Sequence, residues 1–342
     1  MLYRSIFIML MVGVLSGCAA MDSMVAKLQG MMFSTEVSMA NPPNHPEASK
    51  VTRVAVIKGN NVSDKSIRNS VEALLSSIHV NNKPYFTVLE KNNADQVAGL
   101  HAIEKGAEFD EAAVARFGKR LGSDGVYVVT GFSSGVVDQK FSENRSKCVA
   151  KEGKKCVKYN PYKVACTKRS AHYSFTPKLV KVESMSIVYG RNIRGTNESS
   201  VCADSDKAHP TRNSLINGAK ISAFDSLSKD VAPYNSVEKV IIKTGGVLHD
   251  DAKELVKAGE SFAKKSRWTR ACNNWDEAAG LESNSVAILY NQGLCRELSG
   301  DFRNAIQFYT QAEEFSPKPD FRISERLNAS QSKLSRAEAY LD

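Results

Sequence analysis

This chain of 342 residues has few of the features that mark an enzyme. It contains no phosphate-binding loop of the G-x-x-x-x-G-K-[ST] type, no G-x-S-x-G nucleophile motif and no H-E-x-x-H zinc motif. Six histidines are scattered along the chain, and none is paired at the spacing of metal ligands. We therefore expect no catalytic residue, no metal and no cofactor.

Hydrophobic runs long enough to cross a membrane are also missing. The apolar run Ile6 to Leu15 covers roughly half of a ~30 Å hydrocarbon core at ~1.5 Å per helical residue. Arg4 before the run and small residues after it are typical of a secretory signal peptide. The ending Leu15-Ser16-Gly17-Cys18 resembles the bacterial lipobox, although an ordinary signal peptide with a chance cysteine has the same pattern.

The lipobox resemblance implies that residues 1–17 are a lipoprotein signal peptide and that Cys18 is lipidated. Ala19 follows the cysteine, which in the sorting rule of such lipoproteins implies the outer membrane. We expect a protein held in this membrane by the lipid on Cys18 and facing the periplasm. Residues 18–50 contain Pro42, Pro43 and Pro46 and lack periodicity, so we predict a tether.

Acidic residues are scarce in one segment. Between Gly135 and Tyr173 there are ten Lys and Arg against three acids, a balance of 10 − 3 = +7 in a chain of net charge +9. Such a segment favours an anionic partner, such as lipid headgroups or an acidic protein, but a solvated lysine-rich loop has the same composition. Behind a secretory signal we do not expect nucleic acid as the partner.

The cysteine count indicates an oxidising compartment. Six cysteines remain after Cys18, an even number that favours disulfides over free thiols, with a metal site as the weakest alternative. Six cysteines allow 15 pairings. The disulfide candidates are Cys148, Cys156, Cys166, Cys202, Cys272 and Cys295.

Residues 51–245 alternate strand and helix patterns. VTRVAVI at 51–57 and GVYVVTG at 125–131 predict buried strands, and the apolar positions of 109–121 predict a helix. The units "VTRVAVI", "YFTVLEKNNADQV" and "AAVARFGKRLGSDGVYVVTGFSSG", with "KLVKVESMSIVYGRNIRG" farther on, resemble the curli-secretion (CsgG) family. The resemblance implies a CsgG-like α/β sandwich over 51–245, closed by a strand at 237–243, with a basic Cys-containing insertion at 135–172.

Residues 246–342 carry an internal repeat. Gly259, Trp275 and Ala278 recur 34 positions later as Gly293, Tyr309 and Ala312. A 34-residue period of small and aromatic residues is the tetratricopeptide (TPR) signature, so we predict an all-α module of two TPR repeats and a capping helix. Such modules bind proteins through a concave face.

Neighbouring helices of the two repeats carry Cys272 and Cys295, and we predict a disulfide between them. On the concave face we expect Lys257, Asn291 and Arg296 to contact a partner.

These observations favour a non-enzymatic outer-membrane lipoprotein that oligomerises and acts as an adaptor or assembly component of an envelope or secretion apparatus, binding other envelope proteins. The alternative is an oligomeric CsgG-type secretion channel, as in curli export. Adjacent cations at Lys168 and Arg169 disfavour it, because successive strand residues point to opposite faces and one cation would face lipid.

Overall fold

The computed structural model describes residues 34–59, 66–89 and 110–341. The protein is mixed α/β, 43% helical and 35% strand, with a C-terminal helical module. Its chain divides into two compact units. Of the described residues, the α/β unit comprises those within 42–233 together with 339–341, and the helical unit comprises 34–41 and 234–338.

The α/β unit is built on a six-stranded sheet in which β2 lies between β5 and β6 and is parallel to both. The strand β7 runs antiparallel to β6 and also pairs with β8 and β9. The strands of this unit are β2 (Arg53–Lys58), β3 (His79–Val80), β4 (Lys83–Pro84), β5 (Thr87–Val88), β6 (Gly125–Glu152), β7 (Lys155–Lys181), β8 (Ser186–Gly190) and β9 (Ile193–Cys202).

Helices cover both faces of this sheet. They are α1 (Pro46–Ser49), α2 (Ser66–Ser77), α3 (Glu111–Leu121) and α4 (Arg212–Val231). The residues of β2 and of the first part of β6 are buried on both faces, as expected for central parallel strands. Val54 and Tyr127 pack with α2 and α4, whereas Ile57 and Val126 pack with α3. The helix predicted at 109–121 is present as α3, although residue 109 lies outside the described residues, and the strand predicted at 125–131 is the first part of β6.

The segment predicted to be a basic inserted loop is instead part of a long β-hairpin. The strands β6 and β7 stay paired from Gly125 with Lys181 to Glu152 with Lys155. Cross-strand hydrogen bonds form without regard to side-chain polarity, so a polar sequence can continue a ladder that a buried strand has started. The composition of 135–172 therefore concealed its secondary structure.

The helical unit contains two helical hairpins and a final helix. They are α5 (Asp250–Ala263), α6 (Trp268–Leu281), α7 (Val286–Leu298), α8 (Phe302–Glu314) and α9 (Phe321–Leu341). A Cβ on Gly259 would collide with the ring of Trp275, and one on Gly293 with the ring of Tyr309. The 34-residue repeat therefore has a packing cause, since each glycine admits the aromatic ring of the following helix.

A two-stranded antiparallel ribbon completes the helical unit. It consists of β1 (Ser34–Asn41) and β10 (Tyr234–Ile241), and Val37, Met39 and Val240 pack with Leu294 of α7. The structure corrects two expectations here. Residues 34–41 are a strand rather than tether, because they pair with residues 234–241 and bury Val37, Met39 and Asn41. The strand expected at 237–243 lies in the helical unit instead of closing the α/β unit.

Among the described residues, none of the helices combines the length and apolarity that crossing a membrane requires. Residues 1–33, which include the predicted signal peptide and Cys18, lie outside the described part of the chain.

Candidate interaction surfaces

One cluster in the α/β unit could be mistaken for an acid–base site. The Asp230 side chain is 1% exposed and accepts hydrogen bonds from the Tyr189 hydroxyl at 2.8 Å and from Arg191 at 2.9 Å. The backbone N–H groups of Asn44 and His45 donate to the carbonyls of Lys229 and Asp230. This cluster provides hydrogen-bond partners for the last carbonyl groups of α4 and binds residues 44–45 to that helix end. Because the carboxylate of Asp230 is buried, a substrate cannot reach it.

A metal site also finds no support in the described ranges 34–59, 66–89 and 110–341. The single group of possible ligands found there is Glu143 with Cys166 and Cys202. The two cysteines are bonded to each other. Zinc binds thiolates, which a disulfide does not provide, so this group is not a metal centre.

The cysteines form three disulfides. These are Cys148–Cys156 near the end of the β6–β7 hairpin, Cys166–Cys202 between β7 and β9, and Cys272–Cys295 between α6 and α7. The pair predicted from the repeat is therefore present. The other four cysteines had no predicted partners, because only the strand registers bring Cys148 near Cys156 and Cys166 opposite Cys202.

In the helical unit, the segment that follows β10 is bound by side chains of α7 and of residue 320. Asn291 is fully buried, its Nδ2 donates to the carbonyl of Lys243 at 2.7 Å, and its Oδ1 accepts the Lys243 N–H at 3.1 Å. The Lys243 ammonium pairs with Asp320 at 2.5 Å and lies 5.3 Å from the ring centre of Tyr290. Burial by itself raises the pKa of Asp320, but the hydrogen bond and the charge of Lys243 have a larger, opposite effect, so the net shift of this pKa is downward.

These contacts correct the predicted binding face. Asn291 is not exposed to a partner, because it holds the backbone of the segment that follows β10. Arg296 is paired with Asp276 at 3.3 Å and lies over the ring of Phe308. Lys257 is exposed on α5. The three residues therefore do not make one free concave face.

A buried network of four charges joins the ribbon to the helices. Glu297 of α7 is fully buried and accepts from Arg326 and Lys333 of α9, each at 3.0 Å, and from the Tyr309 hydroxyl. The same two cations bind Glu238 of β10, Arg326 at 2.8 Å and Lys333 at 3.2 Å. Two acids and two bases cancel, which is the condition under which buried charges are tolerated.

Burial and the charge of Glu297 raise the pKa of Tyr309 well above its usual value, so this hydroxyl keeps its proton and remains a donor. Burial by itself lowers the pKa of Arg326, but Glu297 and Glu238 outweigh it and the net shift is upward. Both groups therefore retain their roles at any physiological pH.

An open apolar pocket of about 770 Å³ lies at one end of the helical hairpins. Leu248, Leu281 and Phe315 line it and are 88%, 47% and 48% exposed. Glu282, which also lines it, accepts the N–H groups of Leu248 and His249 just before α5. The three segments around the pocket, 246–253, 281–286 and 313–318, contain five acids and two lysines, a balance of 2 − 5 = −3.

The far end of the β6–β7 hairpin carries the opposite charge. We call residues 146–163 the hairpin tip. Six lysines and one acid give it a balance of 6 − 1 = +5. Nearer the sheet, Arg169 pairs with Asp138 at 2.8 Å, Lys168 with Glu198 at 2.7 Å and Arg145 with Asp204 at 2.6 Å.

None of the tip lysines is in an ion pair with a described residue. They are Lys147, Lys151, Lys154, Lys155, Lys158 and Lys163. Exposed apolar side chains stand among them, with Val149 and Val157 each 52% exposed, Tyr159 61% and Tyr162 40%. Sequence reasoning identified the charge of this region but missed the alternation of cations with exposed apolar groups, which the spacing within 146–163 already contains.

Comparison with known proteins adds no assignment: no protein-family model matches the chain, and no curated protein matches it significantly.

Proposed function

We propose that the protein is a non-enzymatic assembly or adaptor component of a bacterial envelope or secretion apparatus. In this proposal lipid on Cys18 anchors it to the outer membrane, facing the periplasm, and it acts by binding other envelope proteins. Its units would be a CsgG-like α/β sandwich and two TPR repeats with a capping helix. It would also associate with further copies of itself, as the family resemblance implies.

The observation that carries this proposal is the apolar pocket of the helical unit. Asn291 is buried and bonded to the backbone of Lys243, so a partner needs another surface. Leu248, Leu281 and Phe315 offer one, and an exposed cluster of large apolar side chains rimmed by polar residues is typical of a protein interaction site. Because acids exceed bases around the pocket, the partner that fits is a protein segment with apolar side chains flanked by Lys or Arg.

Site-specific photo-crosslinking in cells tests this proposal. A photoreactive residue replaces Leu281 or Phe315, and the matched control replaces Ile221, which is 70% exposed on α4 of the other unit. We expect one discrete adduct from the two pocket positions, mapped to an apolar segment with basic flanks, and loss of the Phe315 adduct on Leu281→Asp. Equal adducts from Ile221, or a crosslinked segment that is acidic, would overturn the proposal.

A second candidate function is the CsgG-type secretion channel. The observation that favours it is the pairing of a 28-residue strand with a 27-residue strand over their whole length, interrupted by three register shifts, where a loop was expected. The adjacent Lys168 and Arg169 in β7 count against it, since one of them would face lipid at a cost of ~2–4 kcal/mol near the midplane. Stepwise ion conductance of the purified protein in a planar bilayer would favour the channel over the adaptor.

A further inference from the structure

We propose that the hairpin tip docks on the surface of an anionic lipid bilayer, with its lysines at the phosphate groups and its apolar side chains at the headgroup boundary. The proposal concerns the α/β unit and does not depend on the protein partner of the helical unit.

Charge is the first step of the argument. Along the hairpin nearer the sheet, Arg145, Lys168 and Arg169 are compensated by Asp204, Glu198 and Asp138. The tip lysines have no such partners among the described residues, and their one acidic neighbour in the tip is Glu152. An uncompensated cluster of six lysines repels itself in the free protein, and an anionic surface relieves this repulsion.

The exposed apolar side chains are the second step. Val149, Val157 and Tyr159 are each more than half exposed, and Val149 lies at a bulge where the register of the two strands shifts. Lysines interspersed with aliphatic and aromatic side chains are the composition of elements that lie in a membrane interface. Tyrosine is enriched at the membrane–water interface, because its ring is apolar and its hydroxyl remains hydrated.

Shape is the third step. The Cys148–Cys156 disulfide links the two strands next to the turn, so the tip is held as one body and little conformational entropy is lost on docking. The main competing occupant, a nucleic acid, would use the same cations and the stacking of Tyr159 and Tyr162. Three disulfides indicate an oxidising compartment, where nucleic acid is not the expected polyanion, so the observations favour lipid.

Vesicle binding of the chain tests the proposal. The chain lacks the predicted signal peptide 1–17 and carries Cys18→Ser, so that neither its apolar run nor acyl groups contribute. It is mixed with vesicles of equal parts phosphatidylglycerol and phosphatidylcholine or of phosphatidylcholine alone. We expect sedimentation with the anionic vesicles only. The binding should be lost near 1 M salt, where the Debye length is ~3 Å.

Two triple variants of equal charge locate the contact. A lysine near an anionic surface contributes about fivefold in affinity, so Lys151→Gln/Lys154→Gln/Lys155→Gln should weaken binding about 100-fold. The matched control is Lys83→Gln/Lys119→Gln/Lys207→Gln, which removes three exposed lysines elsewhere in the α/β unit and should weaken binding less than threefold. All six positions are exposed, so both variants should fold, which circular dichroism checks.

The apolar contribution is tested without a change of charge. Val157→Ser/Tyr159→Ser should weaken binding to the anionic vesicles several-fold, because two exposed apolar groups no longer enter the interface. Three results would overturn the proposal: equal binding to neutral vesicles, an equal loss in the control triple variant, or tighter binding to a single-stranded oligonucleotide than to the anionic vesicles.

Discussion

The two units use the same residue types in opposite ways. In the helical unit, Arg326 and Lys333 are 12% and 7% exposed, and two glutamates balance them. In the hairpin tip, six lysines are exposed and lack a described acidic partner. A buried charge must be satisfied within the fold, whereas an exposed one remains free for an external ligand. The comparison teaches that lysine and arginine become informative about function only once their partners are known.

The largest effect should come from breaking the buried network. Glu297→Gln leaves Arg326 and Lys333 with one acid between them and should cost ~3–5 kcal/mol of unfolding free energy. Asp276→Asn, which removes the half-exposed partner of Arg296, should cost ~0–1 kcal/mol. Urea unfolding followed by fluorescence measures both, because Trp268 and Trp275 lie in this unit. Similar losses of unfolding free energy in the two variants would contradict the expected difference between buried and exposed ion pairs.

Removal of disulfides should come next. Cys272–Cys295 and Cys148–Cys156 have sequence separations of 23 and 8 residues. In the chain-entropy model these loops correspond to roughly 3.4 and roughly 2.5 kcal/mol. Cys272→Ala/Cys295→Ala should lower the tryptophan-detected melting temperature. Cys148→Ala/Cys156→Ala should leave that transition unchanged, and a shift there would show that the tip disulfide also supports the helical unit.

A smaller loss should follow when the hydrogen bonds between Asn291 and Lys243 are removed. Asn291→Ala leaves the N–H and carbonyl of Lys243 without their partner, at a cost of ~1–3 kcal/mol. Hydrogen exchange at the Lys243 amide should accelerate. The control Asn274→Ala removes one exposed bond to the Arg270 carbonyl and should leave that amide unaffected. If exchange at Lys243 does not change, Asn291 does not hold this segment in solution.

The smallest effect should come from the tip. Lys154→Gln/Lys155→Gln should change unfolding free energy by less than ~0.5 kcal/mol, because both side chains are exposed. Any change should be stabilising and largest at low salt, since like charges are removed. Denaturant unfolding monitored by far-UV circular dichroism measures it. A loss above 1 kcal/mol would mean that these lysines serve the fold, and the comparison between the units would fail.

Local patterns predicted the elements that bury a regular face. The strand at 125–131 is apolar on both faces, and the 34-residue recurrence of Gly259 and Trp275 reflects a contact within one helical hairpin. In both cases the residues that make the pattern lie within a few tens of positions of one another, so a local reading of the sequence detects it. The same recurrence placed Cys272 and Cys295 on neighbouring helices, so their bond could be predicted.

Features that depend on distant partners could not be predicted in this way. Residues 34–41 read as STEVSMAN, with two buried apolar positions, Val37 and Met39, and their partner strand reads as YNSVEKVI, in which positions 235, 236, 238 and 239 are polar. The role of Asn291 depends on Lys243, 48 positions earlier. An asparagine at this position could bind a partner protein or hold a neighbouring backbone segment, and the sequence does not distinguish these two roles.

The ribbon makes the helical unit discontinuous in sequence. Residues 34–41 pair with partners 193 to 207 positions downstream, since 234 − 41 = 193 and 241 − 34 = 207. During synthesis or translocation from the N-terminus, β1 appears before residues 42–233 of the α/β unit, and its partner β10 appears only after them. Until then Val37 and Met39 have no core to pack into, so a chaperone that holds unfolded chains would bind this segment. Truncation beyond residue 33 would remove β1 and destabilise the helical unit.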